Sequence, residues 1–321
     1  MLAESIVMLR ILILRLIAVS LLLTLAFVGL GCALIAANWR DLPKGVGTVV
    51  FELGHKTFTL EALRPSSVFT GEQTEALIDP AVALVERRID ALDCAADGQS
   101  LLFYANYLYR MQVSDKSLQQ LTSEQRLVWT LAWSPDQKRI AFFSDYNDRH
   151  AILSANADGS NPSPLAINTY QELDDSLAWS PDGQEIALSR DVGSPAPLRF
   201  AIVIMNVNTG ATRAVYTSMT AVKQVAWSPD GSRIAFQKLD GNQLNLYTIQ
   251  PDGSNLTQLT STNAQNINAR WSPDGTVISY SSLDGSGHYQ LYVMNADGSD
   301  QHLIFAAPHD DDAFNLCWLK G

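Results

Sequence analysis

The sequence predicts an all-β fold, a six-bladed β-propeller preceded by a single N-terminal transmembrane helix, and three observations predict it. One phrase recurs four times, as Trp133-Ser-Pro-Asp136, Trp179-Ser-Pro-Asp182, Trp227-Ser-Pro-Asp230 and Trp271-Ser-Pro-Asp274, with tryptophans 46, 48 and 44 residues apart. Each copy runs into a short apolar segment such as Ile140-Ala-Phe or Ile234-Ala-Phe. Ahead of the repeats, Leu16 to Ala37 is a run of 22 residues without a charge. A period in the forties holding several short strands is the pattern of radial blades. An uncharged run of that length is enough to cross a bilayer core as a helix.

The apolar run contains only Ser20 and Thr24 as hydroxyl residues, and Arg10 and Arg15 precede it, which favours an inside N-terminus. Arg40 and Lys44 on the other side reduce that asymmetry. Two alternatives are a cleaved signal peptide, whose apolar region is usually shorter, and a lipoprotein signal at Gly31-Cys32. The chain therefore divides into an anchor and tether over residues 1–45 and a propeller over residues 46–321. The propeller is expected on the extracytoplasmic side, periplasmic or extracellular.

Each period reads as the four strands of one blade. The Trp strand ends in a Pro-Asp-Gly type turn, and the Ile-Ala-Phe strand follows. A third strand comes next, such as Leu246-Tyr-Thr-Ile249, then a second tight turn such as Gln250-Pro-Asp-Gly253, then a short fourth strand such as Gln258-Leu-Thr260. Asp and Gly recur there because hairpin turns need residues that tolerate positive φ. A degenerate copy starts at Cys94-Ala-Ala-Asp97-Gly98, with Cys94 in the tryptophan place. Trp318 opens a last copy that stops three residues later. Its missing strands are expected from Val49-Val-Phe51, Phe58-Thr-Leu60 and Val68-Phe-Thr70, so that residues 46–70 and 314–319 share the closing blade. Sharing a blade leaves no open sheet edge. The alternative is a five-bladed ring with residues 46–70 as a separate hairpin.

These tandem phrases, W-S-P-D-G-x-x-I-A-F with L-Y-x-M-N-A-D-G, resemble the propeller repeat of the TolB family, the periplasmic component of the Tol–Pal system. Similar repeats build the propellers of prolyl-oligopeptidase-type peptidases and of some pectate-fragment lyases. The resemblance covers residues 90–321 strongly and 46–70 weakly. It implies the propeller fold and leaves the activity open.

The chain has a formal net charge of −11. Its first 44 residues carry four basic against two acidic side chains, so the remainder carries −13. That balance excludes a phosphate-gripping nucleic-acid surface and a propeller lying flat on anionic lipid. No G-x-S-x-G elbow or H-E-x-x-H motif occurs. His150 and His288 fall at equivalent places of blades two and five, too far around the ring to share an ion. The expected function is therefore non-enzymatic binding by a monomer. The alternative is a propeller lyase or hydrolase acting on a polysaccharide fragment or peptide.

The W-S-P-D-G aspartates read as caps of their own turns, and Trp133, Trp179, Trp227, Trp271 and Trp318 as wedges between blades. All the tight turns share one face of the ring. The other face receives the variable loops, which are rich in carboxylates: Asp145, Asp148, Asp174, Asp175, Asp310, Asp311 and Asp312. This acidic face is the candidate site for a protein or basic peptide partner, with calcium as the one cofactor the carboxylates suggest. The chain enters the ring from the tether at the tight-turn face, which places that face toward the membrane.

Three cysteines make no disulfide framework. Cys94 stands in a tryptophan place and Cys317 one residue before one, so they point to opposite sides of their strands. If the Trp side faces the preceding blade, the two thiols meet across the closing seam; if it faces the following blade, they point apart.

Overall fold

The computed structural model describes residues 48–53, 56–61 and, with short gaps, 91–319. The apolar run Leu16 to Ala37 and the strand expected at Val68-Phe-Thr70 lie outside the described residues. The chain starts with a hairpin, β1 (Thr48–Leu53) and β2 (Lys56–Glu61). Blade one follows as β3 (Ala91–Cys94), β4 (Ser100–Ala105), β5 (Tyr107–Gln112) and β6 (Leu118–Gln120). Blade two is β7 (Val128–Trp133), β8 (Arg139–Tyr146), β9 (Arg149–Asn156) and β10 (Ser163–Ile167). Blade three is β11 (Leu173–Trp179), β12 (Glu185–Asp191), β13 (Phe200–Asn206) and β14 (Thr212–Ser218). Blade four is β15 (Val222–Trp227), β16 (Ile234–Asp240), β17 (Gln243–Ile249) and β18 (Thr257–Gln258). Blade five is β19 (Gln265–Trp271), β20 (Val277–Leu283), β21 (Gln290–Asn295) and β22 (His302–Phe305), and β23 (Ala313–Leu319) ends the ring.

The expectation of a six-bladed ring behind a membrane helix is corrected here. The described residues form five four-stranded blades and a three-stranded closing sheet in the order β2-β1-β23. They contain no helix, and none that is long and apolar enough to cross a membrane. The physical reason for the miscount lies at the rim. Outer strands are the least buried, so packing imposes little apolar pattern on them. Those of blades one and four are only three and two residues long, and both residues of β18 are exposed. An outer strand is thus the part of a blade that a sequence specifies most weakly.

The tight turns are made by their own side chains. Ser134, Ser180, Ser228 and Ser272 each donate a hydroxyl hydrogen bond to the aspartate two residues on, at 2.6–2.7 Å. The same carboxylates accept the backbone N–H two residues further along, at 3.0–3.1 Å. This is the local capping read from the motif. Gly159, at φ 82°, closes the second tight turn of blade two against the outer end of blade one. A Cβ there would collide with the Leu121 carbonyl oxygen, so this turn requires glycine for both its dihedral and its closeness.

The core lies between blades. Phe143 and Ile152 of blade two pack with Leu177, Trp179 and Ile186 of blade three, and the same arrangement recurs between blades one and two, three and four, and four and five. Each tryptophan wedges against the blade before it. Trp271 donates its indole N–H to the Ala226 carbonyl and Trp318 to that of Arg270, both at 3.2 Å. Arginines of the preceding blade lie over the rings: Arg110 over Trp133 at 5.5 Å, Arg139 over Trp179 at 4.9 Å and Arg233 over Trp271 at 4.8 Å.

The Trp side therefore faces the preceding blade, the condition under which the thiols meet. Cys94 and Cys317 form a disulfide with Cα atoms 5.8 Å apart. Sheets pack about 10 Å apart face to face, but inner strands converge toward the axis, and both cysteines sit on inner strands. In the closing sheet β1 pairs antiparallel with β23, with Val49 opposite Trp318 and Thr48 opposite Leu319. Thr48 thus lies at the tight-turn end of the ring.

Candidate functional site

The inner strands β3, β7, β11, β15, β19 and β23 surround a central channel, which holds a cavity of about 670 Å³. Pro135, Pro181, Pro229 and Pro273 of the W-S-P-D turns rim it, so it opens on the tight-turn face. Bulges interrupt the pairing of β7, β11, β15 and β19 in the deeper part of the channel. In β15 and β19 the bulge contains Gln224 at φ 56° and Asn268 at φ 57°, and both residues line the cavity. A bulge re-aims side chains out of the pleat, and it recurs at barrel rims and functional sites.

One position of the wall breaks the repeat. The residue before the tryptophan is Ala132, Ala178 and Ala226 in blades two to four, but Asp93, Arg270 and Cys317 on the three strands at the closing seam. Asp93 Oδ2 accepts the Trp133 backbone N–H at 2.8 Å, joining blade one to blade two. The carboxyl borders the channel space and is half-buried. Burial pushes its pKa up to about 6, against the opposing pull of the Trp133 N–H and the Arg270 charge. Burial likewise lowers the Arg270 pKa, and the Asp93 charge offsets part of that.

A pH signature follows from Asp93. Its folded pKa lies above the unfolded one, so its contribution is full below about pH 4 and is lost as pH rises through about 6. Asp93→Asn keeps an acceptor for the Trp133 N–H and removes the titration. The native protein is expected to gain about 3 kcal/mol relative to this variant between pH 7.5 and pH 4. Urea unfolding at a series of pH values measures the difference. A gap that stays constant with pH rejects a buried, titrating Asp93.

The acidic candidates occupy the other face. Asp145 and Asp312 have side chains 49% and 42% exposed, and each lies near a histidine, His150 at 3.0 Å and His288 at 3.6 Å. Asp312 also accepts the Tyr289 N–H at 2.7 Å. Asp174 and Asp175 belong to strand β11 rather than to a loop; Asp174 stands opposite Arg190 and Asp175 is the extra residue of the bulge. Asp148, Asp310 and Asp311 lie outside the described residues. Asp240, on the same face, is held within its own blade by Lys238, by the Tyr247 hydroxyl at 2.7 Å and by the Asn245 amide at 3.3 Å. Among the described residues no three His, Cys, Asp or Glu side chains gather as a metal site. Sequence reasoning missed Asp93 and Arg270. Their signal was a departure from alanine at one repeat position, visible once the inner strands are aligned on their tryptophans.

Comparison with known proteins agrees with the repeat. The TolB beta propeller domain family matches residues 150–309. No curated protein matches the chain. Among solved structures, TolB from Acinetobacter baumannii superposes with a TM-score of 0.67 at 15% identity, covering 87% of this chain and 68% of that one. A chain of a nidogen/laminin complex superposes at 0.64 and 12% identity, covering 84% and 96%. An oligogalacturonate lyase in complex with manganese superposes at 0.53 and 14% identity, covering 83% and 73%. At these identities the likeness is one of fold, and it extends to a chain of a protein complex and to a lyase alike. In its W-S-P-D turns and inner Trp strands this chain is a β-propeller, and residues 150–309 of it match the TolB beta propeller domain family.

Proposed function

We propose that this chain is a non-enzymatic, extracytoplasmic binding propeller that holds a protein or basic peptide partner on its acidic loop face. The observation that carries the reading is the division of carboxylates between the two faces. Asp136, Asp182 and Asp230 on the tight-turn face spend their oxygens on their own turns, and the serine hydroxyls and backbone N–H groups there hold their pKa values down. On the loop face Asp145 and Asp312 keep 49% and 42% of their side chains exposed, each beside a histidine rather than in a tight turn of its own. An acidic face steers a basic partner and sets its orientation. The Cys94–Cys317 disulfide supports an oxidising compartment outside the cytoplasm. Residues 16–37 supply the anchor in this reading, and the start of β1 at the tight-turn end turns the acidic face away from the membrane.

The test replaces Asp145, Asp148, Asp174, Asp175, Asp310, Asp311 and Asp312 with Asn in the propeller. Folding is expected to survive, because Asn keeps the size of each side chain and, at position 312, an acceptor for the Tyr289 N–H. Capture of the partner from an extracytoplasmic extract is expected to fall sharply. The native complex should dissociate near 1 M salt, where the Debye length is about 3 Å. Equal capture by the substituted propeller, or a complex indifferent to salt, sinks the reading.

A further inference from the structure

At every seam of the ring but one, a tryptophan of the following sheet wedges against the sheet before it, as Trp133 does on blade one and Trp318 on blade five. Blade one brings no tryptophan to its seam with the closing sheet; Cys94 stands in that place. The departure continues through the turn. Where blades two to five carry Trp-Ser-Pro, blade one carries Cys94-Ala95-Ala96, so the serine hydroxyl that clamps the turn and the proline that rims the channel are absent as well. This seam has lost its wedge and is bordered by small residues.

The chain also ties this seam loosely. Residues 219–221 are all that lie between β14 and β15, and residues 259–264 between β18 and β19, but residues 62–90 lie between β2 and β3. A long connection leaves the sheets it joins more freedom than a short one. The short link is the disulfide, which joins the inner strands β23 and β3 directly. Cys317 is 4% exposed and packs with Leu92, Phe103 and Met111 of blade one, whereas Cys94 is half-buried. Both cysteines line the cavity that opens on the tight-turn face.

We propose that Cys94–Cys317 is a redox latch on the ring. Oxidised, it takes the place of the missing wedge and holds the closing sheet to blade one. Reduced by a small dithiol that enters at the tight-turn face, it releases this seam while the seams with tryptophans stay packed. A thiolate of the reductant bonds to Sγ of Cys94, the more exposed cysteine, and Cys317 leaves with the electron pair and takes a proton from water. The second thiol of the reductant then displaces Cys94 from the mixed disulfide. The dithiol loses two electrons and two protons and becomes a disulfide, and the two cysteines gain them. Strand β23 begins directly after Asp312, so opening the latch also loosens the anchorage of one carboxylate of the acidic face. That consequence rests on the proposed binding role; the latch itself does not.

Dithiothreitol acting on the full chain without denaturant tests this, with iodoacetamide as the quench and mass spectrometry of the Cys94 and Cys317 peptides as the readout. The bond is expected to break at a rate proportional to the dithiothreitol concentration, about tenfold or more faster than the chain unfolds under the same conditions. Amide hydrogen exchange then reads the seam. The ratio of exchange rates in β23 to those in β12 is expected to rise about tenfold or more on reduction, and equally in Cys94→Ser/Cys317→Ser. Cys94→Trp with Cys317→Ala restores the residues that blades two to four carry at these places, and should keep the ratio at its oxidised value in dithiothreitol. If that variant does not fold, the first two readouts decide. A reduction rate that levels off at the unfolding rate overturns the proposal. So does a ratio that reduction leaves unchanged, which makes the bond a stabiliser of the whole ring alone, or a Cys94→Trp/Cys317→Ala chain that folds and opens like the reduced one.

Discussion

Removing the Cys94–Cys317 disulfide is expected to lower the unfolding free energy of the propeller by about 5 kcal/mol. The bond joins positions 223 residues apart, and the entropy it removes from the unfolded chain grows with that loop, to about 5 kcal/mol at this length. It also spans the one seam of the ring where successive sheets come from opposite ends of the chain. There β23 packs against β3 of blade one, and the N-terminal hairpin joins the ring by pairing with β23. The double variant C94S/C317S avoids a lone thiol and isolates the bond. Urea unfolding of this variant, and of the native protein with and without reductant, measures the effect. A midpoint unmoved by either treatment means that strand pairing and packing hold the seam without the bond. Because the bond acts on the unfolded chain, the slope of the transition is expected to increase in the variant as that chain expands.

Trp179→Ala is expected to cost about 4 kcal/mol, within the usual range for truncating a buried aromatic side chain. Trp179 is 7% exposed and lies in the core shared by blades two and three, against Leu177 and Ile186. The surrounding strands cannot close over the gap, because β12 is hydrogen-bonded to a neighbour along both edges. Part of the effect comes from Arg139, whose guanidinium lies 4.9 Å from the ring centre and loses its aromatic partner. Arg139→Ala alone is expected to cost only about 1 kcal/mol, since one cation–π contact is a small term. A Trp179 variant no weaker than the Arg139 variant contradicts the wedge role.

The turns and the period were legible because their causes are local. Asp and Gly are needed within four residues to make a tight turn, and the Asp136 and Asp230 carboxylates bond as the motif says they should. The tryptophan recurs because each blade must fill the same space against the previous one. The outer strands were less legible, since an edge exposed to water places little demand on residue type. The candidate site was legible only in part. Exposed loop carboxylates such as Asp145 can be read from composition and position, whereas Asp93 and Arg270 look like ordinary charges until the inner strands are brought side by side.

By itself the sequence determined the radial sheet, its W-S-P-D turns and the apolar alternation that packs blade on blade, because these follow from turn dihedrals and strand periodicity within one repeat. It left open which way the tryptophans face, and with that whether Cys94 and Cys317 meet. Only the tertiary structure decided that the Trp side faces the preceding blade, that the closing sheet draws on both ends of the described chain, and that two opposite charges border one cavity. Those outcomes depend on closing a ring across more than two hundred residues. No local preference of φ, ψ or side-chain pattern reaches that far.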